Sequence, residues 1–279
     1  MFASTELAQK IEHAETVLIH DWARSIDARR PEAQVEVLDV AGGVACWAGE
    51  GAPLNKVAAV GLGDVPGEET FAAVEALYAK HGAAVRFEVP TLADPALVTA
   101  LSRRGYVVVG FEDVLGQALP TAQSGGSQGS EELLVERDEA EGFPAWLDAL
   151  VSGFATPDEQ GAGNPEEFPR SVLEQVITDM TSAEGFTRYR VLRGGALAGA
   201  GTLRVYRDVA HLCGASTLPE HRRRGVQTLL LKTRLRDAAA AGAAVAVMVT
   251  QPGSKSQENA IRQGFSHLYT RVVLEHRRT

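Results

Sequence analysis

Two stretches 160 residues apart share one local pattern. His81 to Val89 reads HGAAVRFEV and Ala241 to Val249 reads AGAAVAVMV. At an offset of 159, Leu101 to Tyr106 (LSRRGY) meets Ala260 to Phe265 (AIRQGF), with Arg103, Gly105 and Tyr106 opposite Arg262, Gly264 and Phe265. Val114-Leu115 then falls opposite Val273-Leu274. Both halves run helix, glycine stop, strand, helix, Arg-x-Gly-aromatic, strand. Two matches in register, with one residue of slippage, predict a tandem duplication of one α/β unit.

Local signals agree. Leu231, Leu235, Ala238 and Ala239 recur at helical spacing, and Gly242 is placed to stop that helix. AAVAVMV after it is a continuous apolar run, as in a strand covered on both faces. Upstream, Thr187 to Thr217 reads as strands broken at Gly194-Gly195 and at Arg207-Asp208. Asp94 followed by Pro95 is a helix start. Between the halves, TAQSGGSQGS (Thr121 to Ser130) has three glycines and no large apolar residue, which reads as a linker. The expected domains are 1–120 and 131–279, joined by 121–130.

Charge is uneven. Residues 1–130 hold nine Lys+Arg against 17 Asp+Glu, whereas residues 131–279 hold 18 against 19. A net charge of −9 argues against nucleic acid as a partner. No apolar run is long enough to span a membrane. The first 25 residues read as an amphipathic helix rather than a secretion signal, so a cytoplasmic location is expected. Cys46 and Cys213 sit among apolar residues without metal-ligand spacing, so neither a metal nor a disulfide is expected.

The basic residues of the second half concentrate in HRRRGVQTLLL, His221 to Leu231. A strand is expected to end near Thr217, Pro219 to turn the chain, and a helix to begin near Gly225. The first N–H groups of a helix have no partner inside it, and with the helix dipole they favour an anion. Gly225 allows close approach of backbone, and Arg222, Arg223 and Arg224 add charge that suits a pyrophosphate.

Here the chain resembles the GNAT superfamily of acyl-CoA-dependent N-acetyltransferases, whose Q/R-x-x-G-x-G/A motif matches Arg222 to Gln227, with Gln227 departing from the last position. The likeness spans about Glu131 to His276. It implies an α/β (α+β) fold of two tandem GNAT-like domains, each a mixed, mostly antiparallel sheet flanked by helices. It also implies acetyl-CoA as cosubstrate and an amine, small or peptidic, as acceptor. By the resemblance, backbone from Arg222 through Arg223, Arg224, Gly225, Val226 and Gln227 to Thr228 holds the CoA pyrophosphate. An N–H of Thr217 or Leu218 faces the thioester carbonyl, and Asn259 meets the pantetheine arm. Many members place a tyrosine acid four residues before the second glycine; here that residue is Ala260, and Tyr269 stands five residues after Gly264. His211, on the strand before the motif, is the candidate base; Glu136, Glu166 and Glu167 are not distinguished from solvated charges.

In the first half the counterpart of the motif is Leu62 to Gly67, LGDVPG, at the offset of 160. It has no arginine, sets Val65 opposite Gly225, and includes Asp64 and Pro66, so the first domain is expected to keep the fold and lack the cofactor site. Gly194 to Gly201 (GGALAGAG) lacks the strand–turn–helix setting of a dinucleotide loop and reads as a hairpin with a small-residue strand. Gly161 to Arg170 is expected to be a loop leading into a helix. Two other functions stay open: a non-catalytic acyl-CoA sensor and another phosphate-ligand binder, the latter disfavoured by the absence of G-K-[ST]. The acceptor cannot be read from the sequence, and a homodimer stays open.

Overall fold

The computed structural model describes residues 1–120, 132–155 and 169–276. The Thr121–Ser130 linker, Glu166 and Glu167 lie outside these. The first half of the chain forms α1 (Thr5–Arg29), β1 (Glu36–Val40), β2 (Gly43–Trp47), β3 (Lys56–Ala58), α2 (Glu68–Lys80), β4 (Val85–Pro90), α3 (Pro95–Arg103) and β5 (Val107–Ala118). The second forms β6 (Leu133–Arg137), α4 (Phe143–Ala155), α5 (Arg170–Thr181), β7 (Phe186–Arg193), β8 (Ala196–Tyr206), β9 (Val209–His211), β10 (Ala215–Thr217), α6 (Val226–Ala240), β11 (Val245–Thr250), α7 (Lys255–Arg262) and β12 (Ser266–His276). No helix among the described residues is long and apolar enough to cross a membrane. Neither Cys46 nor Cys213 is in a disulfide.

The repeat is visible in backbone detail. α2–β4–α3–β5 recurs as α6–β11–α7–β12, and matching helix ends close alike. After α2, Gly82 takes φ +67°, and after α6, Gly242 takes φ +89°. The next N–H returns to the helix, Ala83 to the Tyr78 carbonyl and Ala243 to the Ala238 carbonyl, each at 3.0 Å. Gly105 and Gly264, at φ +86° and +96°, do the same for α3 and α7, with Tyr106 N–H on Leu101 and Phe265 N–H on Ala260. A left-handed residue at this position needs glycine, which is why the Arg-x-Gly-aromatic pattern recurs.

The chain divides into two compact units. One collects Phe2–Val114, Val249–Pro252 and the chain from His267 onward. Its sheet runs β1-β2-β3-β4-β12-β5; β1–β2, β2–β3 and β4–β12 are antiparallel, and β3–β4 is parallel. The other collects Leu115–Met248 and Gly253–Ser266. Its sheet runs β6-β7-β8-β9-β11 and then the end of β5; β6–β7, β7–β8 and β8–β9 are antiparallel, and β9–β11 is parallel. Each sheet is mixed, mostly antiparallel and flanked by helices. The units do not follow the division at the linker: β12, from the second half of the sequence, lies in the first unit. There Val272↔Val89 and Leu274↔Phe87 pair with β4, and Leu274 joins the core of Phe87, Leu97 and Tyr106.

The first unit also buries charge. Arg271 on β12, 1 % exposed, lies 2.9 Å from Glu12 of α1 and near Glu15 and Glu88. Lys56 on β3 bridges Glu88 at 2.8 Å and Glu15 at 3.3 Å. Burial opposes the charge of Lys56 and Arg271, but the carboxylates around them outweigh it and hold both cations charged. Burial, followed by the nearby Glu88, pushes Glu112 up to about 7. Glu112 therefore keeps a proton in the folded state that it has lost when unfolded. Its contribution to stability is full below the ordinary carboxylate range and is lost as pH rises through about 7. Glu112→Gln is expected to raise Tm at pH 8 by a few °C relative to the parent, with little gain at pH 5. Melting curves at both pH values check this; an equal gain at both would refute it.

Candidate functional site

In the second unit the site is built on a strand with little side chain. Gly194 and Gly195, at φ +56° and +82°, make the tight turn between β7 and β8. Along β8, a Cβ on Gly199 would meet the Ser216 carbonyl oxygen at 2.7 Å and Val226 Cγ1 at 2.9 Å. A Cβ on Gly201 would meet Leu230 Cδ2 at 3.0 Å. The glycines of GGALAGAG are thus the floor on which α6 rests, and the hairpin reading of that segment is what the backbone shows. On the other face, Ala200 packs with Trp146 and Leu150 of α4.

β10 pairs with β8 at Ala215↔Gly201, Ser216↔Ala200 and Thr217↔Gly199. Leu218 N–H donates to the Ala198 carbonyl at 3.0 Å, and Thr202 N–H to Gly214 at 3.1 Å. Hydrogen-bonded and open pairs alternate in an antiparallel ladder, so Ala215 and Thr217 occupy open pairs and turn their N–H groups away from β8. No strand among the described residues pairs on that edge. The β9–β11 ladder ends at His211↔Val247, followed by Leu212 N–H on the Val247 carbonyl at 2.9 Å. The two expected oxyanion donors are thereby separated. The Leu218 N–H is spent on Ala198, and only the Thr217 N–H faces outward. Arg222 Nε donates to the Thr217 carbonyl at 3.4 Å.

After β10 the chain makes a 3-10 turn, Pro219–His221, and passes Arg223 at φ +58° and Gly225 at φ +81° before α6 begins at Val226. Only Leu133 Cδ1, at 3.8 Å, would touch a Cβ on Gly225. The glycine is therefore demanded by its left-handed backbone, not by crowding within the protein. Leu229 N–H is the first in α6 to reach back, to the Gly225 carbonyl at 3.0 Å. The N–H groups of Arg224, Gly225, Val226, Gln227 and Thr228 have no acceptor among the described residues. The first turn of α6 holds no acid, and Arg223 and Arg224 are exposed beside it. Unmet donors, dipole and guanidinium groups converge on a place suited to a phosphate anion.

The remaining expected residues are dispersed. His211, 5 % exposed, lies between Ala210 and Leu212, both in the α6-side core, so it faces the α4–α5 side, in register with Arg204. Asn259 is half-buried on α7, and Ala260 beside it is in the core with Phe265. Tyr269 is in the first unit, 2 % exposed, with its phenol donating to Glu12 at 2.7 Å. Burial, then the Glu12 charge, raises its pKa further. Tyr269 is thus a core residue of the first unit, with its phenol committed to Glu12. Sequence reasoning missed Arg234, 1 % exposed on α6, which donates to the Thr202 carbonyl at 3.0 Å. Its place in the Val226, Leu230, Arg234 spacing of one helix face was the available signal.

Residues 121–252 match the model of the acetyltransferase (GNAT) domain family. The fold is similar to that of a GCN5-related N-acetyltransferase from Kribbella flavida, at TM-score 0.60 and 17 % identity over 92 % of this chain and 96 % of that one. It is also similar to a tandem GNAT protein from the clavulanic acid biosynthesis pathway, at TM-score 0.59 and 14 % identity over 84 % and 78 %. A functionally unknown conserved protein from Staphylococcus epidermidis gives TM-score 0.51 at 9 % identity over 78 % and 86 %. No curated protein matches by sequence. Residues 121–252 thus match the GNAT acetyltransferase domain, and the chain as a whole shares its fold with solved GNAT proteins, one of them tandem.

Because α6 sits so close on β8, Gly199→Ala is expected to cost about 1–3 kcal/mol. Gly63→Ala, where nothing lies within 4 Å of the added carbon, should be near neutral. Paired thermal melts check this, and equal effects would defeat the packing account.

Proposed function

We propose that the second unit binds acetyl-CoA and transfers its acetyl group to an amine by direct attack on the thioester. The observation that carries this reading is the juxtaposition of an unused strand N–H, at Thr217, with an unmet helix N-terminus at Gly225 to Thr228. The helix end would hold the pyrophosphate. The Thr217 N–H would face the thioester carbonyl and stabilise the oxyanion as the amine adds. The amine must lose a proton. His211 is six residues upstream of Thr217, on the order of 20 Å along an extended strand. It would act as a base through a chain of waters, not by direct contact. Asn259 would steady the pantetheine arm.

The first unit is read as the same scaffold without the cofactor site. Matching the N-caps sets Gly67 opposite Gly225, where the sequence offset sets Val65. Gly67 has φ −79°, and the first turn of α2 holds Glu68 and Glu69. Two carboxylates at a helix N-terminus occupy the field that an anion would use. The acidic first half favours a cationic acceptor through its long-range field.

A second reading, a non-catalytic acyl-CoA sensor, is favoured by one fact: Ala260 is buried and Tyr269 is committed to Glu12, so neither expected position supplies a phenol to the leaving thiolate.

Acetyl-CoA at about 100 times its Kd should stabilise the protein by about 2.7 kcal/mol. Gly225→Glu should abolish this shift, and Val65→Ala should leave it intact. Absence of any shift with the parent would defeat cofactor binding, and loss with Val65→Ala would defeat the degenerate reading of the first unit. Release of free thiol with a panel of amines separates the readings: stabilisation without turnover for any amine favours the sensor.

A further inference from the structure

β8 carries two ladders on one edge. Its pairs with β9 run through Arg204↔His211, and its pairs with β10 resume at Gly201↔Ala215. Between them β8 has two residues, Thr202 and Leu203, while the facing chain has three, Leu212, Cys213 and Gly214. One extra residue is a β-bulge, which bends the strand and re-aims the residues beyond it. It takes the strand from the stretch paired with β11 to the stretch whose outer edge is open.

At the bulge the Cys213 and Thr202 carbonyls are met by side chains, while the Gly214 carbonyl, which already accepts the Thr202 N–H, takes a second donor. The Thr202 hydroxyl donates to the Cys213 carbonyl. Arg234 Nη1 donates to the Thr202 carbonyl at 3.0 Å and to the Gly214 carbonyl at 3.5 Å. Arg234 is 1 % exposed, has no carboxylate beside it among the described residues, and Nε is buried without a partner. Burial lowers its pKa to about 10, so it remains charged at neutral pH. A cation in this position is costly, and an aliphatic side chain of similar volume would pack without that cost. Val226, Leu230 and Arg234, at four-residue spacing, share one face of α6. The helix thereby ties its own N-terminus to the bulge, about 13 Å away along its axis.

We propose that Arg234 is a positioning residue for acyl-CoA: from α6 its guanidinium holds the bulge that aims the Thr217 N–H, fixing that donor at a set distance from the pyrophosphate-binding end of the same helix. The proposal rests on the reading of β10 as the thioester edge. Its effect concerns the acetyl-pantetheine end of the ligand and not the nucleotide end.

The two ends can be weighed separately in the full-length chain. Calorimetry with acetyl-CoA and with adenosine 3′-phosphate 5′-diphosphate, which lacks the pantetheine arm, compares the parent with Arg234→Met, Arg234→Lys and Thr202→Val. Arg234→Met is expected to weaken acetyl-CoA on the order of tenfold while leaving the nucleotide fragment within about twofold. Arg234→Lys, which keeps a donor, should recover part of the loss. Thr202→Val removes the hydroxyl from the other side of the bulge and should give the same selective loss; it decides the matter should Arg234→Met not fold. Unchanged acetyl-CoA affinity in the variants, or equal loss of both ligands, overturns the role of Arg234 and leaves the acyl-CoA reading standing. A parent chain that binds neither ligand overturns the acyl-CoA reading itself, and this proposal with it.

Discussion

The approach of α6 to β8 governs the geometry of the second unit. A helix normally rests on a sheet across a close-packed layer of side chains; here Gly199 and Gly201 remove part of that layer. Val226 and Leu230 occupy the space, and the helix start is brought over the strand that leads into it. The N–H groups at Gly225 to Thr228 and the N–H of Thr217 are thus referred to one rigid body. Without that seat the basic turn would be a charged loop, free to meet an anion but with no fixed relation to the β10 edge.

The first unit applies the same architecture to other ends. Helix stops, strand order and the left-handed glycines at Gly82 and Gly105 match those at Gly242 and Gly264. The difference lies at the start of the crossover helix. α6 opens after three arginines with its first turn free of acids. α2 opens on Glu68 and Glu69, and Arg104 bonds Glu68 and Glu75. The first unit has also gathered Glu12, Glu15, Glu88, Glu112, Lys56 and Arg271 between α1 and its sheet. Such a network is no cheap source of stability, because every member has to be desolvated. It does make the seating of α1 dependent on partners drawn from four strands.

Much of this fold is legible in the chain as letters. The glycines that end α2, α3, α6 and α7 are visible because only glycine serves a left-handed C-cap, so the repeat survives at those points when most other residues have diverged. The breaks at Gly194-Gly195 and Arg207-Asp208, and the cap at Asp94, are local chemistry, and the structure has them where the residue types put them; the Asp94 carboxylate accepts from the Ala96 N–H at 2.8 Å. Non-local facts are not legible. Whether the Thr217 or the Leu218 N–H faces outward depends on ladder parity, set by a bulge that no residue type announces. Tyr269 stands five residues after Gly264 in either account, yet its partner, Glu12, lies more than 250 positions away. Arg234 reads as an ordinary charged residue on a helix until the helix is placed against a sheet.

The destination of β12 is hidden for a similar reason. A strand of alternating apolar residues has the same pattern whichever sheet receives it. Its placement bears on how the protein is made. The first unit has a gap between β4 and β5 that only β12 fills. During synthesis the N-terminal half therefore waits, with the edge of β4 and the core around Phe87 and Leu97 unsealed, until the second half has also left the ribosome. Tandem repeats commonly allow the first copy to fold before the second is translated; this chain order couples the two in time.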